Sequence, residues 1–325
     1  MLIRSEVPCL PDFAIRSMTD DDLPGVLELL TVALGETALL KRTSDLFRWK
    51  HVLNPFGKSI VLVAEADGRI VGLRAFMRWE LVTPAGAVLR CVRPVDTATH
   101  PDYRRRGIFQ KLTEAAVEDA RRKGVDLVFN TPNADSGAGY RKMGWNEVGT
   151  IGAMIRPRLS TEWLRRSKSL PAPEEAVKGG REVDVASLPS PRDVVGLRTP
   201  RSEAYLRWRY RQHPTARYSA ISGAGSTAIV RPNIRRGRTE LLVSDVFGVE
   251  QAEPLRRTIR WARTAYVGTW FSENTPERNA ARSAGFINAP GVNALTLVAR
   301  PLRPLEAEVT NLSNWDLALS DLELL

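Results

Sequence analysis

A mixed α/β fold built twice in tandem is what this sequence predicts, on three observations. Its 325 residues are about twice the roughly 150 of a typical domain. Its first half alternates strand-like and helix-like apolar patterns in the order β-α-α-β-β-β-α-β-α-β. Its second half repeats signals of the first in the same order. Asp45-Leu46-Phe47-Arg48-Trp49-Lys50, followed by Asn54-Pro55, returns as Glu203-Ala204-Tyr205-Leu206-Arg207-Trp208-Arg209 followed by His213-Pro214. Asn130-Thr131-Pro132 returns as Asn274-Thr275-Pro276.

Each element has a local reason. Phe13 to Arg16 reads as a short strand, and Thr19 with Asp22 three residues on forms a capping box before a helix running to about Leu34. A second helix follows the cap Ser44 and carries Leu46, Trp49 and Val52 on one face. Ser59 to Glu65 and Ile70 to Trp79 flank Asp67-Gly68, a dipeptide that tolerates left-handed backbone and so closes a hairpin. The turn Pro84-Ala85-Gly86 leads into a long strand from about Val88 to Thr99. After a basic turn come an amphipathic helix (Ile108, Leu112, Ala116, Ala120) stopped by Gly124, a buried-type strand Val125 to Phe129, and a short helix ending near Met143. Residues 1–157 are thus expected to form the N-terminal module. The Pro- and Gly-bearing stretch within 158–190 reads as a linker or a meandering connection, and 191–325 as the second module. Leu312, Trp315, Leu317 and Leu319 suggest that the tail from 301 is a final strand packing back on a domain.

Composition narrows the function classes. At 43% apolar and 26% charged the chain is ordinary globular protein rather than disordered or collagenous. No apolar run reaches the ~18 residues of a membrane span, and the start lacks a signal-peptide core, so a soluble cytoplasmic protein with no membrane partner is expected. Two cysteines are too few for a disulfide framework, and three histidines have no zinc-like spacing, so no metal is expected. The formal charge of +10 points to an anionic partner. All but eight of the 47 basic residues are arginine, which a GC-rich genome would explain as well as a binding surface.

The informative segment runs from Asp96 to Phe109, between a strand end and a helix start. A strand end, a turn containing Arg104, Arg105, Arg106 and Gly107, and a helix N-terminus together present free backbone amides and the positive end of a helix dipole, which suits a pyrophosphate. Taken alone, the turn reads first as a solvated basic cap of the helix. The segment resembles the acyl-CoA loop of the GNAT superfamily of N-acetyltransferases, (Gln/Arg)-x-x-Gly-x-(Gly/Ala): Thr99-His100-Pro101-Asp102-Tyr103-Arg104 is followed by Gly107, and Phe109 replaces the small last residue. The family's second signature, Asn-x-x-Ala-x-x-x-Tyr-x-x-x-Gly-Phe, is matched in spacing by Asn133, Ser136, Tyr140, Gly144 and Trp145.

The resemblance implies two tandem GNAT-like modules with mostly antiparallel sheets and a splayed strand at the acyl-CoA site. It implies acetyl-CoA as co-substrate, held by Thr97, Ala98, Thr99, Arg104, Arg105, Arg106, Gly107, Ile108, Phe109 and Asn133, with Tyr140 protonating the departing thiolate. A phenol is protonated at neutral pH yet more acidic than water, which suits that role. Asp96 is the in-strand carboxylate nearest the thioester and would either take the acceptor's proton through water or fix a strand bulge. The second copy reads Ser244-Asp245-Val246-Phe247-Gly248 where the loop should begin and Ala281 or Arg282 where the tyrosine should stand, so it is expected to bind no CoA, with Asp245 as an acceptor-recognition candidate by position. The expected partner is a small-molecule amine, with an amino sugar suggested by association. Two alternatives stay open: a basic nucleic-acid-binding protein, to which Arg201 to Arg217 would contribute, and an acyl-CoA sensor without turnover.

Overall fold

The computed structural model describes residues 13–37, 40–158, 166–289 and 294–322, apart from the side chains of Ala134 and Asp135. Residues 1–12 of the first expected module, 159–165 of the connection and 323–325 of the tail lie outside it. Two seven-stranded sheets carry the fold. The first is ordered β1 (Ala14–Ser17), β2 (Ile60–Ala66), β3 (Arg69–Val82), β4 (Val88–Thr99), β5 (Leu127–Asn130), β14 (Leu295–Pro301) and β6 (Asn146–Ile151). The second is ordered β8 (Arg181–Glu182), β9 (Ser219–Gly223), β10 (Ser226–Arg235), β11 (Arg238–Phe247), β12 (Tyr266–Thr269), β7 (Met154–Pro157) and β13 (Ile287–Asn288).

The two orders are the same, with one strand exchanged. β7 follows β6 in the chain yet lies between β12 and β13, while β14 lies between β5 and β6. Each sheet is completed by a strand from the other half, so the sheets do not respect a boundary at residue 157. Pairing is antiparallel except between β4 and β5 and between β11 and β12.

The repeat is visible in side chains as well. Trp49 on α2 (Ser44–His51) stacks on Trp208 of α6 (Glu203–Tyr210), with centroids 4.3 Å apart and planes 6° from parallel. Each indole N–H donates to the other's backbone carbonyl at 2.9 Å. Such reciprocity is what a local two-fold relation between duplicated halves produces. Trp79, Tyr205, Phe129 and Trp315 join this layer, so one apolar core runs through both halves. Asn54 and His213 also match: Asn54 Oδ1 accepts from the Phe56 amide and His213 Nδ1 from the Thr215 amide, each closing the turn after its helix.

Local expectations hold with shifts. The Asp22 carboxylate accepts from the Thr19 amide, and a single 3₁₀ turn then opens into α1 (Leu23–Leu34). The cap of α2 is Thr43 rather than Ser44, because its hydroxyl accepts from the Leu46 amide. α3 (Ile108–Arg122) lays Ile108, Leu112, Ala116 and Ala120 onto β2 and β3. Gly72 makes the close approach possible, since a Cβ there would stand 2.6 Å from Ile108 Cγ2.

The connection contains α5 (Pro173–Ala176), with Ala176 and Val177 buried, and β8, the edge strand of the second sheet. One expectation fails. Among its described residues the tail forms no strand after Pro301: it runs through a 3₁₀ turn, isolated bridges at Trp315 and Ala318, and the short helix α9 (Leu319–Leu322). Its alternating apolar residues are buried against both halves, and the alternation reflects that two-sided cover rather than sheet pairing. No helix among the described residues is long and apolar enough to cross a membrane.

Candidate acyl-CoA site

The site begins as a defect in the first sheet. β4 and β5 pair at Cys91 with Leu127 and Val92 with Val128, and beyond these they separate. β4 is also bulged. Leu73 pairs with Ala98 and Ala75 with Val95, leaving Asp96 and Thr97 opposite Arg74, and Asp96 takes a left-handed φ of 44°. The bulge turns the end of β4 away from β5 and opens a cavity of about 730 Å³. The His100 amide donates to Val71 at 2.9 Å, so the alternation of an antiparallel ladder turns the Thr99 amide the other way, towards the gap.

The mouth of this cavity is the basic turn. The turn Pro101–Tyr103 is capped by His100, whose Nδ1 accepts from the Asp102 amide. Arg105 (φ 63°) and Gly107 (φ 77°) are left-handed, and Gly107 is the N-cap of α3. The Lys111 amide, donating to the Gly107 carbonyl, is the first to reach a partner one turn back, so the amides at 108–110 are left without one in the helix. A Cβ on Gly107 would meet nothing within 4 Å, so the approach is open. Outward amides, a helix dipole and the exposed guanidiniums of Arg104 and Arg105 form the donor set a pyrophosphate requires. The residues present therefore fit acyl-CoA. Arg106 turns back, its guanidinium 4.6 Å from the Tyr103 ring and donating to the Asp102 carbonyl. Ile108 is buried in the core and offers its backbone alone.

Tyr140 reaches the same cavity from α4 (Ala134–Lys142), which Asn133 caps by accepting from the Ser136 amide. The Tyr140 side chain is buried, with Phe109 edge-on at 5.8 Å. Phe109 is accommodated because residue 139 is glycine: a Cβ there would lie 2.9 Å from the Phe109 ring. Asp96, Thr97, Ala98, Thr99, Arg104, Phe109, Asn133 and Tyr140 thus line one cavity, while Arg105, Arg106, Gly107 and Ile108, which link Arg104 to Phe109, are not part of its lining.

Of the two readings of Asp96, the contacts favour the residue that fixes the bulge over the base. Its carboxylate contacts Lys50 Nζ (3.1 Å), His51 Nε2 (3.1 Å) and Arg42 Nη1 (3.3 Å). Burial would raise its pKa, but Lys50 and the His51 hydrogen bond outweigh that and hold it well below the usual carboxylate range. A carboxylate so held accepts a proton poorly. Burial likewise lowers the His51 ring despite Asp96, and its Nδ1 lies 2.9 Å from the Ser59 hydroxyl. Sequence reasoning missed this cluster and missed Arg74, which donates to the Tyr140 oxygen at 2.8 Å and to Thr97 Oγ1 at 2.6 Å. The available signal was a charge inside the apolar run Val71–Met77.

Among the described residues, the corresponding positions of the second half are arranged differently. Asp245 is fully buried and accepts from Arg201 (2.9 Å), Tyr210 (2.6 Å) and Ser320 (2.9 Å), so it is a satisfied core carboxylate rather than an acceptor contact. Arg201 also pairs with Asp321 at 2.7 Å, so that basic segment serves the interior at this point. Gly248 is jammed, with Ser226 Oγ at 2.5 Å and the Gly225 carbonyl at 2.7 Å from a Cβ built on it. The helix that follows, α7 (Ala252–Trp261), starts among Glu250 and Glu253, charges that repel phosphate, and Ala281 is buried on α8 (Pro276–Ser283).

Residues 14–148 match the family model of an acetyltransferase (GNAT) domain. No curated protein gives a sequence match. The fold is similar to that of a GCN5-related N-acetyltransferase from Kribbella flavida, at 16% identity and TM-score 0.57, over 90% of this chain and 72% of that one. It is similar to one from Anabaena variabilis (11%, 0.59, 90% and 73%) and to Eis1 from Mycobacterium abscessus (12%, 0.54, 90% and 74%).

Proposed function

We propose that this chain, whose residues 14–148 match the family model of a GNAT acetyltransferase domain, transfers an acetyl or other short acyl group from acyl-CoA to the primary amine of a small molecule. The observation that carries the reading is the convergence of the amide-lined turn 104–109, the splayed strand 97–99 and Tyr140 on one cavity. The turn would bind the pyrophosphate and the edge of β4 would receive the pantetheine arm. The Thr99 amide would meet the charge that develops on the thioester oxygen as the amine attacks. Tyr140 would give its proton to the departing sulfur. Asp96, held by Lys50, Arg42 and the His51 hydrogen bond, would hold the bulge that shapes the cavity, and water would remove the acceptor's ammonium proton.

A nucleic-acid-binding role is less well supported, because arginines 93, 198, 201 and 278 are buried rather than displayed. A sensor without turnover leaves the placement of Tyr140 without a use. The test is release of free thiol from acetyl-CoA against amino sugars, aminoglycosides, amino acids and polyamines. Turnover with at least one amine is expected, with amino sugars the first candidates. CoA binding with no thiol release from any of them would contradict transfer.

A further inference from the structure

Arg74 sits in the middle of β3 and is completely buried. Its partners are all neutral hydroxyls: Tyr140 (2.8 Å), Thr97 (2.6 Å) and Thr113 on α3. The faces of Phe109 (4.8 Å) and Tyr140 (5.4 Å) pack near the guanidinium, and its Nε has no hydrogen-bond partner among the described residues. None of the ion pairs found among the described residues involves Arg74. The other fully buried arginine of this sheet, Arg93, is met by the Asp321 and Leu322 carbonyls at the end of α9. A buried cation without a compensating charge is costly, so the location of the charge it could serve matters.

A guanidinium can only donate, so the phenol oxygen that meets it must accept. The Tyr140 hydrogen is therefore left free of Arg74, in a side chain that lines the acyl-CoA cavity. We propose that Arg74 is a positioning residue for acyl transfer, and this rests on the reading of Tyr140 as the proton donor. When the amine nitrogen bonds to the carbonyl carbon and the C–S bond breaks, the sulfur leaves with the electron pair and takes the Tyr140 proton. The phenolate left behind is the negative charge that Arg74 Nη1 faces. The nitrogen loses its proton to water, and water restores the phenol, so the cycle closes without a further reagent. Thr113, which donates to the Phe109 carbonyl at 2.6 Å while accepting from Arg74, and Thr97 on the bulge keep the guanidinium in place.

A double-mutant cycle tests this. Arg74→Met, Tyr140→Phe and the double variant are compared with the wild type for kcat by thiol release, for CoA affinity by calorimetry and for melting temperature. Acting through Tyr140, Arg74→Met should lower kcat about 10²-fold with CoA affinity within a few-fold, and should cost almost nothing further in the Tyr140→Phe background. Losses that multiply in the double variant, or a kcat unchanged by Arg74→Met, overturn the proposal while leaving acyl transfer standing. Arg74→Lys, which keeps the charge but not the fork, should recover part of the rate. If Arg74→Met does not fold, Arg74→Lys carries the cycle: a loss confined to the Tyr140 background supports the role, and an equal loss in both refutes it. A wild-type chain that binds CoA yet releases no thiol with any amine removes the acyl-transfer reading itself, and this role with it.

Discussion

Gly107 and Gly248 each lie between the long strand and the next helix of their half, Gly107 as the N-cap of α3 and Gly248 directly after β11, and both are left-handed, at φ 77° and 89°. Alanine at either should cost about 1–2 kcal/mol, the penalty for a Cβ in left-handed backbone. The surroundings then separate them. At Gly107 the Cβ enters open space, so the strain is the whole stability cost, a few degrees of melting temperature at most. Relief of that strain rotates the amides around 105–108 out of the phosphate cradle, and a comparable 1–1.4 kcal/mol lost from binding raises the CoA Kd about 5- to 10-fold. At Gly248 the new methyl lies 2.5 Å from Ser226 Oγ and 2.7 Å from the Gly225 carbonyl, which adds an overpacking cost of about 1–3 kcal/mol. Gly248→Ala should therefore be the less stable variant with unchanged CoA affinity, and Gly107→Ala the more stable one with weakened affinity. Calorimetry with CoA and urea unfolding read both quantities. An equal fall in affinity at the two positions, or a larger stability loss at Gly107, would refute the assignment of the site to the first module.

Three further outcomes follow from named contacts. Tyr140→Phe should lower kcat by about 10² to 10⁴ with CoA affinity nearly unchanged, since in the proposed mechanism its proton is used as the thiolate departs; unchanged turnover would leave protonation to water. Trp49→Ala should destabilise by about 3–5 kcal/mol, because it empties the stacked pair and strands the Trp208 carbonyl, and a urea midpoint near the wild type would show the junction to be soft. Burial, then Arg209 and other nearby cations, pushes His213 down to about 2 from an ordinary value of 6.5. Folding therefore favours the neutral ring, and its contribution, complete above about pH 6.5, is lost by roughly 1.4 kcal/mol per pH unit below that. His213→Asn, which keeps the acceptor role of Asn54, should flatten the fall in stability between pH 7 and 5; identical slopes would contradict it.

The strands and helices of the first half were legible because each carries its own period and its own stop, as Asp67-Gly68 and Gly124 illustrate. The duplication was legible because Trp49 and Trp208 are kept by reciprocal contacts that need the same residue twice. Strand exchange was not, since β7 and β14 are short strands whose patterns fit either sheet, and pairing is decided by chain reach and the gap beside β5. The tail misled because alternation also arises where a segment is covered from two sides. At the site, the turn and Tyr140 could be found by spacing, but Asp96 could not be assigned, since the groups that hold it, Arg42, Lys50 and His51, come from a loop and a helix 45 to 54 residues upstream. Arg74 has a sequence signal only as a charge among apolar neighbours, and its partners become adjacent only when β3, β4, α3 and α4 meet.

We propose one acyl-CoA site per chain, between β4, α3 and α4, with the second half completing the fold. Calorimetric titration of the full chain with acetyl-CoA, repeated on Gly107→Ala, measures this directly. A stoichiometry near one, with affinity weakened by that substitution, is the predicted result. A stoichiometry near two, or a single site indifferent to Gly107, would contradict it.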